Sequence, residues 1–189
     1  MPTRKRPAGI FCVEADWSSD LTDRASVRDM LELLEAVDGI PFIHEHVNAS
    51  KEAFFAALQQ WAQKRYERYS IAYFASHGKP GKLLLGRKVV SIEDVAEALE
   101  GRCAGRVLYF GSCSVLQIPD ERIQAVRERT QADAVVGFTR DVGWVASAAL
   151  DMILLESLSE NPEEAAVEKW LRKEYGALAG HLGLRMVYG

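Results

Sequence analysis

The order of its apolar segments constrains this chain more than any other feature. Short runs rich in branched and aromatic residues alternate with longer segments whose apolar residues recur at helical spacing. Strands separated by helices in this way pair in parallel, because only a long crossover returns the chain to the same end of a sheet. The five runs interpreted as strands cover residues 9–16, 40–47, 70–78, 106–114 and 134–142.

The segments between these strands carry recognisable helix signals. Ser50 and Ser91 are suited to N-cap positions, and Pro119 is suited to a first helical turn. Short apolar runs on either side of Gly86 predict a small hairpin after the third strand, and residues 185–189 predict a last short strand. We therefore predict a three-layer α/β/α sandwich with a mainly parallel sheet. Helices are expected at 21–37, 50–69, 91–99, 119–131, 144–158 and 162–180.

Length and composition indicate one ordinary globular domain. The chain has 189 residues, of which 48% are apolar and 26% charged. We expect a flexible basic tail at 1–8 and a single domain over 9–189. A net charge of −4 gives no reason to expect a nucleic-acid partner, and no apolar run approaches the roughly 20 residues of a membrane span. Three cysteines without an export signal predict free thiols in the cytoplasm.

Two strand ends share one pattern and supply the strongest candidate site. The third predicted strand ends Tyr-Phe-Ala-Ser-His77, and the fourth ends Tyr-Phe-Gly-Ser-Cys113. The carboxyl ends of parallel strands meet at the usual ligand crevice of an open α/β sheet. Because His77 and Cys113 have the same phase, we expect their side chains on one face, about 5 Å apart if the strands are neighbours.

A thiol and an imidazole at that distance can perform acyl transfer. The thiolate is the nucleophile, and a free thiol ionises only near pH ~8.5, so a base that takes the proton activates it. We predict Cys113 as the nucleophile and His77 as the base, which later protonates the leaving amine. Backbone N–H groups at the two turns could stabilise the oxyanion, and Gly78 permits the close approach this needs.

The other cysteines and histidines favour structural roles. Cys12 lies in mid-strand and Cys103 near a helix end, so both are interpreted as packed side chains. His44 and His46 alternate along one face of the second strand, but no further ligand accompanies them, and a polar sheet edge is preferred to a metal site. His181 is expected at a helix end. No metal or other cofactor is predicted.

A strand ending in Ser-His77-Gly78, then a crossover and a strand ending in Ser-Cys113-Ser, resembles the caspase-like cysteine peptidases. These include caspases, metacaspases, legumain, separase and bacterial CHAT domains. The resemblance implies a sheet order 2-1-3-4-5, catalysis by His77 and Cys113, and an oxyanion hole from the N–H groups of Gly78 and Cys113. Residues 137–158 are similar to the CHAT stretch after the fifth strand, which suggests a bacterial CHAT-like stand-alone domain. Gly111 departs from the Gln of caspases and the Asp of metacaspases.

The resemblance also implies a protein or peptide substrate, and dependence on a sensor or activator protein or on a homodimer. Asp16 and Asp141 follow the first and fifth strands, where either could pair with a lysine or arginine of the substrate. Asp141 is the preferred candidate. Arg140 would instead favour an acidic substrate residue.

Two alternatives to a caspase-like endopeptidase stay open. The first is a catalytically silent caspase-like fold that serves as a binding or scaffold module. The second is an α/β-hydrolase-like acyl hydrolase, in which the acid and histidine follow the nucleophile along the chain. That enzyme would use Cys113 with His181, and Asp141 or Asp151 as the acid.

Overall fold

The computed structural model describes residues 7–20 and 22–189. Most of the predicted basic tail therefore lies outside the described residues. Nine strands lie within them: β1 (Ile10–Glu14), β2 (Phe42–His46), β3 (Ile71–Ala75), β4 (His77–Lys79), β5 (Lys82–Leu85), β6 (Lys88–Ser91), β7 (Val107–Phe110), β8 (Ala134–Phe138) and β9 (Leu184–Tyr188). Six helices accompany them: α1 (Arg28–Asp38), α2 (Lys51–Trp61), α3 (Ile92–Ala98), α4 (Asp120–Thr130), α5 (Trp144–Glu160) and α6 (Glu164–Leu182).

Six strands form the main sheet, in the order β2-β1-β3-β7-β8-β9. The first five are parallel, which confirms the predicted order 2-1-3-4-5, and β9 adds an antiparallel edge beside β8. Alternate residues of each strand face opposite sides. Phe11 and Phe74 contribute to one buried cluster, with residues of α2, α3 and α4. Cys12 and Tyr73 contribute to the other, with residues of α1, α5 and α6. This is the predicted three-layer sandwich.

Two helices are shorter than their apolar spacing predicted, because tertiary hydrogen bonds set their limits. α1 begins at Arg28 instead of residue 21. Directly before Arg28, the Val27 N–H (2.9 Å) and the Ser26 hydroxyl (2.7 Å) donate hydrogen bonds to the buried carboxylate of Glu14. α2 ends at Trp61 instead of residue 69. The indole N–H of Trp61 donates to the carbonyl of Tyr69 (2.6 Å), which folds the intervening chain back into a short 3-10 helix.

The third main-sheet strand ends at Ala75, not at residue 78 as predicted. His77 instead begins β4, which pairs with β5 and extends the predicted hairpin to a three-stranded sheet, β4-β5-β6. The backbone of His77–Lys79 finds its antiparallel partner in β5, so it leaves the main sheet one residue after β3. The position of the His77 main chain is therefore fixed by a second, smaller sheet.

Within residues 7–20 and 22–189, none of the helices combines the length and the apolar character that a membrane span requires.

Candidate active site

A cavity of about 240 Å³ opens beyond the carboxyl ends of β3 and β7, and both His77 and Cys113 line it. The register of these two strands pairs Phe74 with Phe110, so three further steps along each chain lead to His77 and Cys113. Trp17, after β1, and Trp144, at the start of α5, complete its aromatic walls. The structure thus brings the two predicted catalytic residues to one hollow.

The backbone of β4 lies directly against the turn that carries Cys113. A Cβ atom added to Gly78 would lie 2.3 Å from the Cys113 carbonyl oxygen and 2.7 Å from a methyl group of Val115. No side chain fits at that distance, so only glycine allows the two turns to pack this closely. Ser114, the next residue, has a φ of +56°, the left-handed region that β-carbon-bearing residues seldom adopt. Backbone strain of this kind is typical of functional turns.

The imidazole of His77 is held by the main chain of Trp17. Its Nε2 lies 2.6 Å from the Trp17 carbonyl oxygen, and the two rings meet edge to face. A carbonyl oxygen can only accept, so Nε2 carries the hydrogen and, in the neutral ring, Nδ1 keeps the free lone pair. This tautomer is the one in which Nδ1 can act as a base.

The thiol of Cys113 is half-buried and lines the cavity. Its sulfur accepts a hydrogen bond from the Val142 N–H (3.5 Å) and lies 3.8 Å from the Val142 carbonyl oxygen. Within the described residues, no hydrogen bond joins this sulfur to the His77 ring. The two side chains share the cavity while each is held by a different main-chain group.

The backbone N–H groups of Gly78 and Cys113 have no backbone acceptor among the described residues. Lys79 and Lys82 flank the tight turn between β4 and β5, so the adjacent pair Gly78–Leu83 is a non-hydrogen-bonded position of the ladder. The N–H of Gly78 therefore points away from β5. Among the described backbone groups, the Cys113 N–H also has no acceptor. These are the N–H groups that the oxyanion prediction requires.

The three charged residues proposed from sequence as specificity determinants lie outside this cavity. Asp141 accepts a hydrogen bond from the Ser114 hydroxyl (2.7 Å), and the Arg140 carbonyl accepts one from the Ser114 N–H (3.0 Å). Both side chains are exposed. Asp16 pairs with His46 (2.9 Å) and lines a separate hollow. Asp141 and Arg140 thus support the turn after Cys113.

Asp151 also lines the cavity of His77 and Cys113, a position that its place in the sequence does not predict. Asp151 lies on α5 and is 3% exposed. It accepts hydrogen bonds from the hydroxyl groups of Tyr73 (2.8 Å) and Tyr109. Burial raises the pKa of Asp151 to about 7, although the two tyrosine hydrogen bonds act to lower it.

A second buried carboxylate, Glu14, fixes the other wall of the cavity. It accepts hydrogen bonds from the Trp17 indole N–H (2.5 Å) and the Val27 N–H, and it pairs with His44 (2.6 Å). Burial alone would raise the pKa of Glu14, but the hydrogen bonds from His44, Trp17 and their neighbours outweigh it and lower the pKa. Glu14 therefore anchors the side chain of the residue whose carbonyl holds His77.

The remaining histidines and cysteines lie apart from the cavity. His44 and His46 lie on the edge strand β2, and the described residues contain no cluster of three or more potential metal ligands. His181 is exposed in the last turn of α6, the expected helix end. Cys12 and Cys103 are buried, and burial raises the pKa of both thiols.

Comparisons with known proteins agree with this architecture. The crystal structure of caspase-1 from Spodoptera frugiperda superimposes with a TM-score of 0.57, at 12% sequence identity, over 98% of this chain and 89% of that one. A likeness at this identity shows a caspase-like fold and leaves the chemistry to the residues. No curated protein matches the chain. Residues 8–188 match a family of unknown function, DUF6642, and the chain belongs to that family.

Proposed function

We propose that this chain is a caspase-like cysteine endopeptidase that hydrolyses peptide bonds with Cys113 and His77. The observation that carries the proposal is that both side chains line one cavity beyond the ends of neighbouring parallel strands. Gly78 also packs against the Cys113 carbonyl, and the N–H groups of these two residues have no backbone acceptor among the described residues.

The reaction follows from these positions. Nδ1 of His77 takes the thiol proton, and the thiolate of Cys113 attacks the carbonyl carbon of the scissile bond. The N–H groups of Gly78 and Cys113 stabilise the resulting oxyanion. The intermediate collapses as the imidazolium returns the proton to the leaving amine, which gives a thioester on Cys113. Water then loses a proton to His77 and attacks the thioester. The imidazolium returns that proton to the departing sulfur, which releases the acid and restores the thiol of Cys113 and the neutral imidazole.

The Trp17 carbonyl supports both proton transfers. Its hydrogen bond to Nε2 keeps the ring in the tautomer whose Nδ1 is basic, and it interacts more strongly with the imidazolium that forms during the reaction. Trp17 is in turn held by Glu14, which links the first strand of the sheet to the orientation of the base.

The direct test is turnover of a peptide library by purified protein and by the Cys113→Ala variant. We expect Cys113→Ala to abolish cleavage while the circular dichroism spectrum is retained. Cys103→Ala is the matched control, because that thiol is buried away from the cavity, and it should keep cleaving. Cleavage that persists in Cys113→Ala would refute the proposal.

A catalytically silent binding module is the second candidate. It is favoured by the separate partners of His77 and Cys113, which leave no hydrogen bond between them in the described chain, and by Gly111 in place of a substrate-binding side chain. A silent module would not react with a peptide-based acylating probe and would tolerate Cys113→Ser in a cellular assay.

The hydrolase alternative makes a different demand on the histidines. It requires His181, whereas the endopeptidase requires His77. His181 is exposed on α6 and does not line the cavity of Cys113. We therefore expect His77→Ala to lose turnover and His181→Ala to keep it, and the reverse pattern would favour the hydrolase.

We further propose that the substrate is a cytoplasmic protein or peptide, and that activity depends on a sensor or activator protein or on a homodimer. Turnover assays should therefore be repeated over a wide range of protein concentration. Activity per molecule that rises with concentration would support a homodimer.

A further inference from the structure

The inner wall of the active-site cavity carries a carboxylate with no cationic partner. Asp151 lines the cavity beside Cys113, and its two oxygens accept hydrogen bonds from Tyr73 and Tyr109. No lysine, arginine or histidine within residues 7–20 and 22–189 pairs with Asp151 in a salt bridge or hydrogen bond. Buried carboxylates are ordinarily paired with a cation, so this one has unused capacity for a positive charge.

The surrounding residues hold this carboxylate in place. Tyr73 and Tyr109 occupy paired positions on β3 and β7, and their ring centroids are 5.2 Å apart. Each hydroxyl donates to one oxygen of Asp151, which leaves further lone pairs on both oxygens. A Cβ atom at position 111 would lie 2.3 Å from the Tyr73 ring, so Gly111 makes room for the tyrosine that orients Asp151.

The walls between Asp151 and the opening suit the stem of a long side chain. Trp17 and Trp144 pack edge to face with their ring centroids 4.5 Å apart, and Val142 and Ala148 line the same cavity. Aromatic and aliphatic walls contact the methylene groups of lysine or arginine, and an indole face also attracts the cation.

We propose that this cavity binds a lysine or arginine side chain of the substrate, with Asp151 as its counter-charge. This inference rests on the proposed function in one respect: the bound side chain is assigned to the substrate residue whose carbonyl Cys113 attacks. The residue whose carbonyl is attacked by Cys113 has its side chain next to the cavity that Cys113 lines, so cleavage follows the basic residue.

The charge state of the cavity makes the preference depend on pH. The titratable groups that face Asp151 or the tyrosines it contacts are Tyr73 on β3, Tyr109 on β7 and Cys12 on β1. His77 and Cys113 line the same cavity. Burial raises the pKa of Tyr73, Tyr109 and Cys12 well above their ordinary values, so these three stay neutral while Asp151, with a pKa of about 7, ionises. Preference for a basic residue should therefore increase between pH 6 and pH 8.

The test uses peptide acyloxymethyl ketones that differ only in the residue bearing the reactive carbonyl, with lysine, norleucine or aspartate at that position. The rate of labelling of Cys113 is measured with each probe. At pH 8 we expect lysine to exceed norleucine by about tenfold or more, the effect of one charge-assisted hydrogen bond, and aspartate to be slowest. The ratio should fall at pH 6.

Two variants identify the group responsible. Asp151→Asn keeps the shape of the side chain, and the ratio of lysine to norleucine should fall to near one. If that variant does not fold, Tyr109→Phe keeps the carboxylate but removes one donor, and the pH at which the ratio rises should move upward. Asp141→Asn should leave the ratio unchanged, because Asp141 is outside the cavity.

A binding measurement separates this inference from the proposed function. Isothermal titration of the Cys113→Ala protein with lysine-containing and norleucine-containing peptide amides needs no catalysis. Asp151-dependent preference for the lysine peptide, with no probe labelling in the wild type, would keep the cationic pocket and refute the peptidase. Equal labelling by the lysine and norleucine probes would overturn the pocket and keep the peptidase. Neither binding nor labelling would overturn both.

Discussion

Two buried carboxylates flank the candidate active site, and the chain treats them in opposite ways. Glu14, at the end of β1, is 1% exposed and receives hydrogen bonds from Trp17, Ser26 and Val27 besides its contact with His44. Asp151, on α5, is 3% exposed and receives only the two tyrosine hydroxyls. Burial acts on both, but its effect on pKa is outweighed at Glu14 and prevails at Asp151.

This difference distinguishes a structural carboxylate from the one that we propose binds a cationic ligand. The charge of Glu14 is satisfied inside the chain, and its partners include the start of α1 and the indole of Trp17. The charge of Asp151 costs free energy until a cation arrives, and the residue lines the cavity from which one could come. Groups that destabilise the empty protein in this way are typical of binding sites.

The largest effect should follow loss of the satisfied carboxylate. Glu14→Gln places an amide where four donors converge and leaves some of them unpaired, and we expect a loss of roughly 3–5 kcal/mol in the free energy of unfolding at pH 7. Urea denaturation measures this. Glu32→Gln, which breaks only an exposed pair with Arg28, is the matched control and should cost about 0.5 kcal/mol or less. Equal losses in the two variants would remove the contrast.

Asp151→Asn should have the opposite sign. An unfolded aspartate titrates near 3.8, but the folded carboxyl has a pKa of about 7, so the folded state binds more protons between these values. Wild-type stability should therefore fall as pH rises from 4 to 7, by up to about 4 kcal/mol. The variant lacks this decline and should be more stable than the wild type at pH 8. A variant that is less stable at pH 8 and keeps the same decline would show that Asp151 is already satisfied.

The two carboxylates should also respond oppositely to acid. The pKa of folded Glu14 lies below the ordinary 4.5, so its contribution is present above that value and is lost as pH falls through the lowered pKa. Glu14→Gln should remove that part of the acid-induced loss of stability, whereas Asp151→Asn should leave it. Unfolding curves between pH 3 and pH 6 provide the measurement.

A smaller effect is expected from the tyrosines. Tyr109→Phe removes a donor that stabilises the ionised carboxyl of Asp151, so the pKa of Asp151 should rise further. Carbon-13 NMR of the aspartate carboxyl groups would record a titration midpoint above that of the wild type. Tyr188→Phe is the control, because it removes a hydroxyl that donates to Glu168 and not to Asp151, and the titration midpoint of Asp151 should be unchanged in this variant. A midpoint that stays put in Tyr109→Phe would contradict the assignment.

The smallest effect is expected at Asp141. Its exposed carboxylate holds the Ser114 hydroxyl, and Asp141→Asn keeps an oxygen for that bond. We expect a change in unfolding free energy within about 1 kcal/mol, measured by urea denaturation. A cost comparable to that of Glu14→Gln would show that the turn after Cys113 depends on this charge.

The order of the sheet could be predicted because its signals are local. Each strand is a short apolar run, and parallel pairing follows from the helices between them. The helix limits could not be predicted in the same way. α1 begins where Glu14 accepts a hydrogen bond from the Val27 N–H, and the chain turns after α2 where the Trp61 indole donates to the Tyr69 carbonyl. Neither contact follows from the apolar spacing of the sequence.

The candidate site could likewise be predicted only in part from the sequence. The matched endings at His77 and Cys113 are visible in sequence, and the cavity contains both. From the sequence alone, Asp151 can be assigned only as the acid of a hydrolase, because the tyrosines that it contacts lie on β3 and β7, 78 and 42 positions away. The available signals were a lone acid on the buried face of α5, with Leu154, Leu155 and Leu158, and a tyrosine at the same place in two neighbouring strands.

The most direct test of the central claim is covalent labelling by a lysine-bearing peptide acyloxymethyl ketone, located by mass spectrometry in wild-type protein and in His77→Ala. If Cys113 and His77 act as nucleophile and base, we expect one modified residue, Cys113, and much slower modification once the imidazole is removed. Equal labelling of Cys113 in both proteins, or a wild-type protein that remains unmodified at every concentration tested, would contradict it.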